Sequence, residues 1–130
     1  MACDPKERRK ILIVEDDPFV CEALTMLLQF EGHTVKTAAN GHHALAIFQP
    51  GKFDLIITDF VMPAMSGDRL AAEIKALDPR QPVVLATAYA EKLDGPGCSS
   101  LPVDQFIAKP FEIQSLRETI ARLTPVGFLK

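Results

Sequence analysis

The sequence has no tryptophan, one tyrosine and three cysteines in 130 residues. The cysteines, at positions 3, 21 and 98, lack the spacing of a metal site or a disulfide framework, and such sparse use is typical of a reducing compartment. No apolar run approaches the roughly 20 residues of a membrane span, and the charged N-terminus lacks the apolar core of a signal peptide. We therefore expect a cytoplasmic protein without membrane contact.

The chain also lacks an excess of basic residues, since 17 acidic side chains outnumber 14 basic ones and give a net charge of −3. Proteins that bind nucleic acid neutralise its phosphates with such an excess, so we expect no nucleic-acid binding by this domain. The basic cluster at residues 6–10 (KERRK) is interpreted as a solvated lead-in segment.

Short apolar runs alternate with segments of helical periodicity along the chain. The predicted strands are residues 11–14, 35–38, 55–58, 83–86 and 106–108. Asp17-Pro18 and Asn40 are typical helix starts. The alternation predicts an α/β fold, in which a doubly wound, flavodoxin-like, five-stranded parallel sheet of order 2-1-3-4-5 carries helices on both faces. We expect this domain over residues 10–124, after a charged lead-in (1–9) and before a tail (125–130).

The interval between the fourth and fifth strands should hold a helix, but its sequence is rich in helix breakers. Residues 94–97 read DGPG, and Pro102 follows. Glycine and proline inside a helix cost about 1 and 3 kcal/mol relative to alanine. We therefore predict that this helix is truncated or replaced by a loop.

Carboxylates at the ends of two predicted strands are the most informative local feature. Asp16 and Asp17 follow the first strand, and Asp59 follows the third. In a sheet of this order the two strands are neighbours at the topological switch point, so the three carboxylates converge in one crevice. Because like charges repel, the cluster favours a hard cation, and Mg²⁺ is the natural one.

Two further strand ends suit phosphoryl chemistry. Thr87 follows the fourth strand and offers a hydroxyl, while Lys109 follows the fifth and offers a positive charge that can bind phosphate. Either residue alone is ordinary, since strand ends often carry threonine and a single lysine is usually a solvated charge. In combination with the acids they predict a phosphoryl site.

These motifs together resemble the receiver domain of response regulators in two-component signalling, of the chemotaxis-regulator type. The resemblance covers about residues 10–123 and rests on Glu15-Asp16-Asp17, Asp59 with Met62-Pro63 and Gly67, Thr87-Ala88, and Lys109-Pro110-Phe111. It implies that Asp59 accepts a phosphoryl group from a phosphohistidine on a sensor histidine kinase or a histidine phosphotransfer protein.

The resemblance also implies the metal ligands. Asp17 and Asp59 would bind Mg²⁺ directly, together with the backbone carbonyl of Val61. Asp16 would act mainly through a water molecule on the metal.

The remaining implied roles concern the phosphoryl group and a conformational switch. Lys109 would pair with the acyl phosphate and Thr87 would donate a hydrogen bond to it. Thr87 would move toward the phosphoryl group while Phe106, at a position where many receivers have tyrosine, rotates inward. Receivers usually signal or dimerise through the face made by helix four, strand five and helix five, so a weak homodimer is compatible with the resemblance.

Two other functions are weighed against this one. A receiver-like interaction module that works without phosphorylation has no physical need for the full set of site residues. A phosphatase with an aspartate nucleophile needs an aspartic acid two residues after Asp59, where Val61 stands. We therefore expect a phosphorylation switch and not an enzyme that turns over a separate substrate. With seven residues after Leu123, we expect a stand-alone receiver or one cut from a longer protein.

Overall fold

Five short strands form one parallel sheet in the computed structural model, which describes residues 8–88 and 102–124. The strands are β1 (Lys10–Val14), β2 (Thr34–Ala38), β3 (Leu55–Asp59), β4 (Val83–Thr87) and β5 (Gln105–Ala108). They pair in the order β2-β1-β3-β4-β5, with every pair parallel. This confirms the predicted α/β class and strand order.

Four helices lie within the described part of the chain, namely α1 (Pro18–Phe30), α2 (Gly41–Ile47), α3 (Gly67–Leu77) and α4 (Ile113–Leu123). The Asp17 carboxylate caps α1 by accepting a hydrogen bond from the backbone N–H of Phe19 at 2.9 Å. The Asn40 side chain caps α2 through the N–H of His43 at 2.7 Å. Both predicted helix starts are therefore confirmed.

The sheet separates two hydrophobic clusters because successive strand residues point to opposite faces. Leu12 and Val14 pack on the side of α2 and α3, whereas Ile11 and Ile13 pack on the side of α1 and α4. All four side chains are at most 1% exposed, and burying each contributes roughly 1.5–3 kcal/mol. Helices therefore cover both faces, as predicted, and the rigid sheet fixes the positions of its strand ends.

Two further predictions concern helical segments. None of the helices within residues 8–88 and 102–124 is both long and apolar enough to cross a membrane. The predicted truncated helix or loop before β5 lies mainly in residues 89–101, outside the described residues.

Arg9, near the start of the described residues, forms hydrogen bonds with Thr124 at their end. Its guanidinium is buried, and its Nε donates to the Thr124 carbonyl at 3.1 Å and to the Thr124 hydroxyl at 2.8 Å. Its Nη2 donates to the same carbonyl at 2.6 Å. Thr124 directly follows α4, and a cation is well placed to satisfy carbonyl groups left open at a helix C-terminus. The interpretation of residues 6–10 as a solvated segment is therefore wrong for Arg9.

Replacing Arg9 with methionine should lower the free energy of unfolding by about 2 kcal/mol, since hydrogen bonds to a charged group contribute about 1.5–3 kcal/mol and the Thr124 groups would lose their donors. Urea denaturation followed by circular dichroism measures the change. The matched control is Arg80→Met at an exposed position, which should stay within about 0.5 kcal/mol of the wild type. Equal stability of the two variants would contradict a stabilising role for the Arg9 contact.

Candidate functional site

Three carboxylates meet where β1 and β3 end. Glu15 and Asp16 follow β1, and Asp59 is the last residue of β3. The two strands are directly paired, with Val14 opposite Thr58, so the groups that follow lie side by side. One carboxylate oxygen from each of the three acids lies within 4.8 Å of the others. Three acids therefore converge at this edge of the sheet, but the group contains Glu15 where the sequence analysis expected Asp17.

Asp17 is not in this group of three. Its carboxylate is turned toward the start of α1, where it caps the helix. Glu15 takes the position expected for a second acid, and its Oε2 accepts the N–H of Asp17 at 3.2 Å. The sequence prediction gives Glu15 no role of its own. The signal for this arrangement lies in Asp17-Pro18, because an aspartate that caps a helix uses its oxygens on backbone N–H groups.

Lys109 connects the two buried acids of the site. Its Nζ lies 3.0 Å from Glu15 Oε1 and 3.0 Å from Asp59 Oδ1. Of the three side chains, Glu15 is 4% exposed, Asp59 11% and Lys109 21%. Such shielding from water strengthens the attraction between the ammonium group and both carboxylates.

Burial and pairing act in opposite directions on these groups. Burial alone would lower the pKa of Lys109, but its hydrogen bonds to Asp59 and Glu15 outweigh that effect and raise the pKa above its ordinary value. The amine is therefore charged at neutral pH. Burial raises the pKa of the Glu15 carboxyl, and the hydrogen bond from Lys109 opposes this only in part.

Thr87 and Lys109 are held together across the ends of β4 and β5. Thr87 is the last residue of β4, and its side chain is buried. The backbone N–H of Lys109 donates to the Thr87 carbonyl at 3.0 Å. Both predicted phosphate-binding residues thus lie at the same edge of the sheet as Asp59.

Phe106 lies on β5 opposite Leu85 of β4. It is partly buried and lines a cavity of about 280 Å³ between β5 and α4. Phe106 is thus on the strand next to the one that carries Thr87. The rotation itself stays a prediction.

The loop after Asp59 is anchored at several points. Met62 and Met65 are buried in the hydrophobic cluster that faces α2 and α3. The N–H of Gly67 donates to the Phe60 carbonyl at 2.7 Å and closes the loop. Val61, whose carbonyl is the predicted metal ligand, lies in this loop with 71% of its surface exposed.

The combined donor set suits a small, hard cation and a phosphoryl group. Carboxylate oxygens are the ligands that Mg²⁺ prefers, and the exposed Asp16 leaves one side of the group open to water, which Mg²⁺ retains. The charged Lys109 can bind a phosphate oxygen beside Asp59. A carboxylate in this setting can act as a nucleophile toward phosphorus.

Comparison with known proteins gives one consistent result. The family model of the response regulator receiver domain matches residues 11–121. The transcriptional regulatory protein TcrA of Mycobacterium tuberculosis is 31% identical over 126 residues, which cover 97% of this chain and 50% of that protein. GlrR of Escherichia coli is 34% identical over 110 residues, which cover 85% of this chain and 25% of that protein. The chain spans only a quarter to a half of these relatives.

Solved structures show the same similarity. The response regulator TrrA of Thermotoga maritima, crystallised with Mg²⁺ and BeF, is 35% identical with a TM-score of 0.79, over 88% of this chain and 98% of that one. The receiver domain of a sensor histidine kinase of Pseudomonas aeruginosa, with a magnesium ion in its active-site cleft, is 28% identical. Its TM-score is 0.80, over 89% of this chain and 97% of that chain.

Proposed function

The chain belongs to the response regulator receiver domain family of two-component signalling, and on this premise we propose that Asp59 is its phosphoacceptor. The observation that carries the proposal is the contact of Lys109 Nζ with Asp59 Oδ1 at 3.0 Å beside the Glu15 and Asp16 carboxylates. A carboxylate held next to a fixed positive charge is oriented for attack and has a partner for the charge of the incoming phosphoryl group.

The reaction transfers one phosphoryl group between two side chains. A carboxylate oxygen of Asp59 bonds to the phosphorus of a phosphohistidine, and the N–P bond breaks as the histidine leaves as a neutral imidazole after protonation. The product is an acyl phosphate on Asp59. Lys109 then pairs with a phosphoryl oxygen, and Thr87 donates its hydroxyl to another. Hydrolysis of the acyl phosphate resets the domain.

We assign Mg²⁺ to the acidic group. Asp16 and Asp59 would bind the ion together with the Val61 carbonyl. The Glu15 carboxylate would add negative charge beside it, while Asp17 would continue to cap α1. When bound, the ion offsets the negative charge that the acids and the phosphoryl group bring together. This assignment replaces the direct ligation by Asp17 expected from the sequence, because the Asp17 carboxylate is directed to the N-terminus of α1.

The proposed output is a change of conformation around β4 and β5. Thr87 and Phe106 are on neighbouring strands, so a shift of the Thr87 hydroxyl toward a phosphoryl group alters the packing around Phe106. The domain modifies itself and does not turn over a separate substrate. The alternative of a phosphorylation-independent interaction module is disfavoured because such a module needs neither the paired Lys109 nor the converging acids. The proposed location is the cytoplasm.

A surface on α1 is suited to the phosphodonor. Phe19, Ala23, Met26 and Phe30 follow one another at intervals of four, three and four residues and so share one face of the helix. The three large side chains are between 62% and 82% exposed. Monomeric proteins rarely leave such a continuous apolar face to solvent, and its presence indicates a protein partner.

The position of these four residues, called the α1 stripe from here on, supports a phosphohistidine protein as the partner. An open groove of about 580 Å³ runs from Phe19 and Val20 to Lys109, Pro110 and Phe111. Lys109 contacts Asp59, so a protein seated in the groove reaches the acceptor carboxylate. The occupant we propose is the helix of a histidine kinase or histidine phosphotransfer protein that carries the phosphohistidine.

Replacing Phe19 with alanine should slow phosphotransfer about tenfold or more, since truncating a hot-spot side chain at an interface costs about 2 kcal/mol or more. The measurement uses any purified, autophosphorylated histidine kinase that labels the wild type. Labelling by acetyl phosphate should stay unchanged because it needs no protein interface. Leu77→Ala, another large exposed apolar residue but on α3, is the matched control. Equal transfer to all three proteins would rule out the α1 stripe as the docking surface.

The direct test of the phosphoacceptor function is incubation of the full chain with Mg²⁺ and acetyl phosphate. Intact mass spectrometry should show the addition of one phosphoryl group, and chelation of the metal should prevent it. A wild-type protein that takes up no phosphoryl group from either acetyl phosphate or a kinase panel would overturn the proposed function.

A further inference from the structure

We propose that Gly67 is a positioning residue for Asp59, an inference that rests on the proposed function. Gly67 is the first residue of α3 and is buried. A Cβ added to Gly67 would lie 2.1 Å from the backbone carbonyl oxygen of Asp59 and 3.0 Å from its carbonyl carbon. Real Cβ atoms do not approach backbone this closely, so the absence of a side chain allows α3 to start directly against the acceptor residue.

The peptide group between Asp59 and Phe60 cannot easily move away. The Asp59 carbonyl accepts a hydrogen bond from the Thr58 hydroxyl at 3.0 Å. The Phe60 N–H donates to the Ala86 carbonyl of β4 at 3.0 Å. A side chain at Gly67 would therefore press on a peptide group that two other hydrogen bonds hold in place. The strain would be transmitted to the Asp59 side chain, because the carboxylate is attached to the displaced backbone.

The consequence concerns the geometry of phosphorylation more than the fold. Asp59 must keep its carboxylate within contact of Lys109 and close to Asp16. A displacement of about 1 Å at a reacting group can reduce a rate about 100-fold. Gly67 thus sets the position of the nucleophile although its own atoms do not touch the phosphoryl group.

The test compares Gly67→Ala with Gly41→Ala. Gly41 is the first residue of α2, and a Cβ there would lie 2.7 Å from the Met65 sulfur and 3.1 Å from Met65 Cβ and Cγ, which are side-chain atoms and not the backbone of Asp59. We expect Gly67→Ala to slow labelling by acetyl phosphate about 10- to 100-fold and to weaken Mg²⁺ binding in isothermal titration calorimetry. Gly41→Ala should change both quantities less than about threefold.

A double variant separates the contact with the Asp59 carbonyl from the contact with Leu85. The same added Cβ would also lie 2.7 Å from Leu85 Cδ2, so packing against Leu85 offers a competing explanation. Adding Leu85→Val, which removes that atom, should leave the Gly67→Ala defect in rate and in Mg²⁺ affinity. Recovery of both quantities in the double variant would overturn the proposal.

Thr58→Val keeps the test decisive if Gly67→Ala does not fold. It removes the hydrogen bond from the Thr58 hydroxyl to the same carbonyl and should reduce both the labelling rate and the Mg²⁺ affinity. If Thr58→Val, or a folded Gly67→Ala, has the labelling rate and Mg²⁺ affinity of the wild type, the positioning role is refuted. The proposed function still stands in that case, provided that the wild type is labelled. An unlabelled wild type would instead refute the proposed function.

Discussion

An Asp59→Asn variant should take up no phosphoryl group from acetyl phosphate or from a histidine kinase that labels the wild type. The amide lacks the charged oxygen that attacks phosphorus, and it removes one of the two carboxylates bonded to Lys109. The side chain keeps its size, so the packing at the end of β3 should be preserved. Intact mass spectrometry measures the incorporation, and hydroxylamine should release the wild-type label because an acyl phosphate is labile to it.

The control for this variant is Asp68→Asn in the first turn of α3, which removes a carboxylate that is not part of the group formed by Glu15, Asp16 and Asp59. It should be labelled as fast as the wild type. A phosphoryl group that appears on Asp59→Asn at the wild-type rate would identify a different acceptor. Loss of labelling in both variants would point to a general charge effect, not to a specific nucleophile.

The fold was accessible from the sequence because its determinants are local. Apolar runs bounded by acids, prolines and glycines mark the strands, and Asn40 marks the start of α2 through a cap that spans three residues. The parallel order follows once strands alternate with helices. The strand ends then bring Asp59, Thr87 and Lys109 to one edge, which the structure shows.

Contacts between distant residues were not accessible in the same way. Arg9 and Thr124 are 115 positions apart, and no local pattern distinguishes Arg9 from its solvated basic neighbours. The composition of the acid cluster at the end of β1 could not be predicted from the local sequence either. Whether Glu15 or Asp17 joins Asp16 depends on the direction in which the chain leaves β1, where the Glu15 N–H still pairs with the Ala38 carbonyl of β2 at 3.1 Å. The presence of three acids after the apolar run of β1 does not determine the direction in which the chain leaves that strand.

A comparison of Asp16→Asn with Asp17→Asn separates the site in the structure from the site predicted by sequence. Asp16→Asn should weaken Mg²⁺ binding by about 10-fold or more. Even the loss of a residue that hydrogen-bonds to a metal ligand typically lowers metal affinity about 10- to 100-fold. Labelling by acetyl phosphate at limiting Mg²⁺ should fall in parallel. Isothermal titration calorimetry gives the Mg²⁺ affinity, and the dependence of labelling on Mg²⁺ concentration gives an independent value.

Asp17→Asn should leave both quantities near those of the wild type, because asparagine caps a helix about as well as aspartate and can accept the same N–H groups of Phe19 and Val20. Asp17→Ala should instead destabilise the fold by about 1 kcal/mol through loss of the cap, with little change in Mg²⁺ affinity. The opposite pattern, in which Asp17→Asn loses Mg²⁺ and Asp16→Asn keeps it, would restore the ligand set expected from the sequence. In that case Asp17 would bind the metal, and its carboxylate would not be held at the start of α1 as it is in the structure.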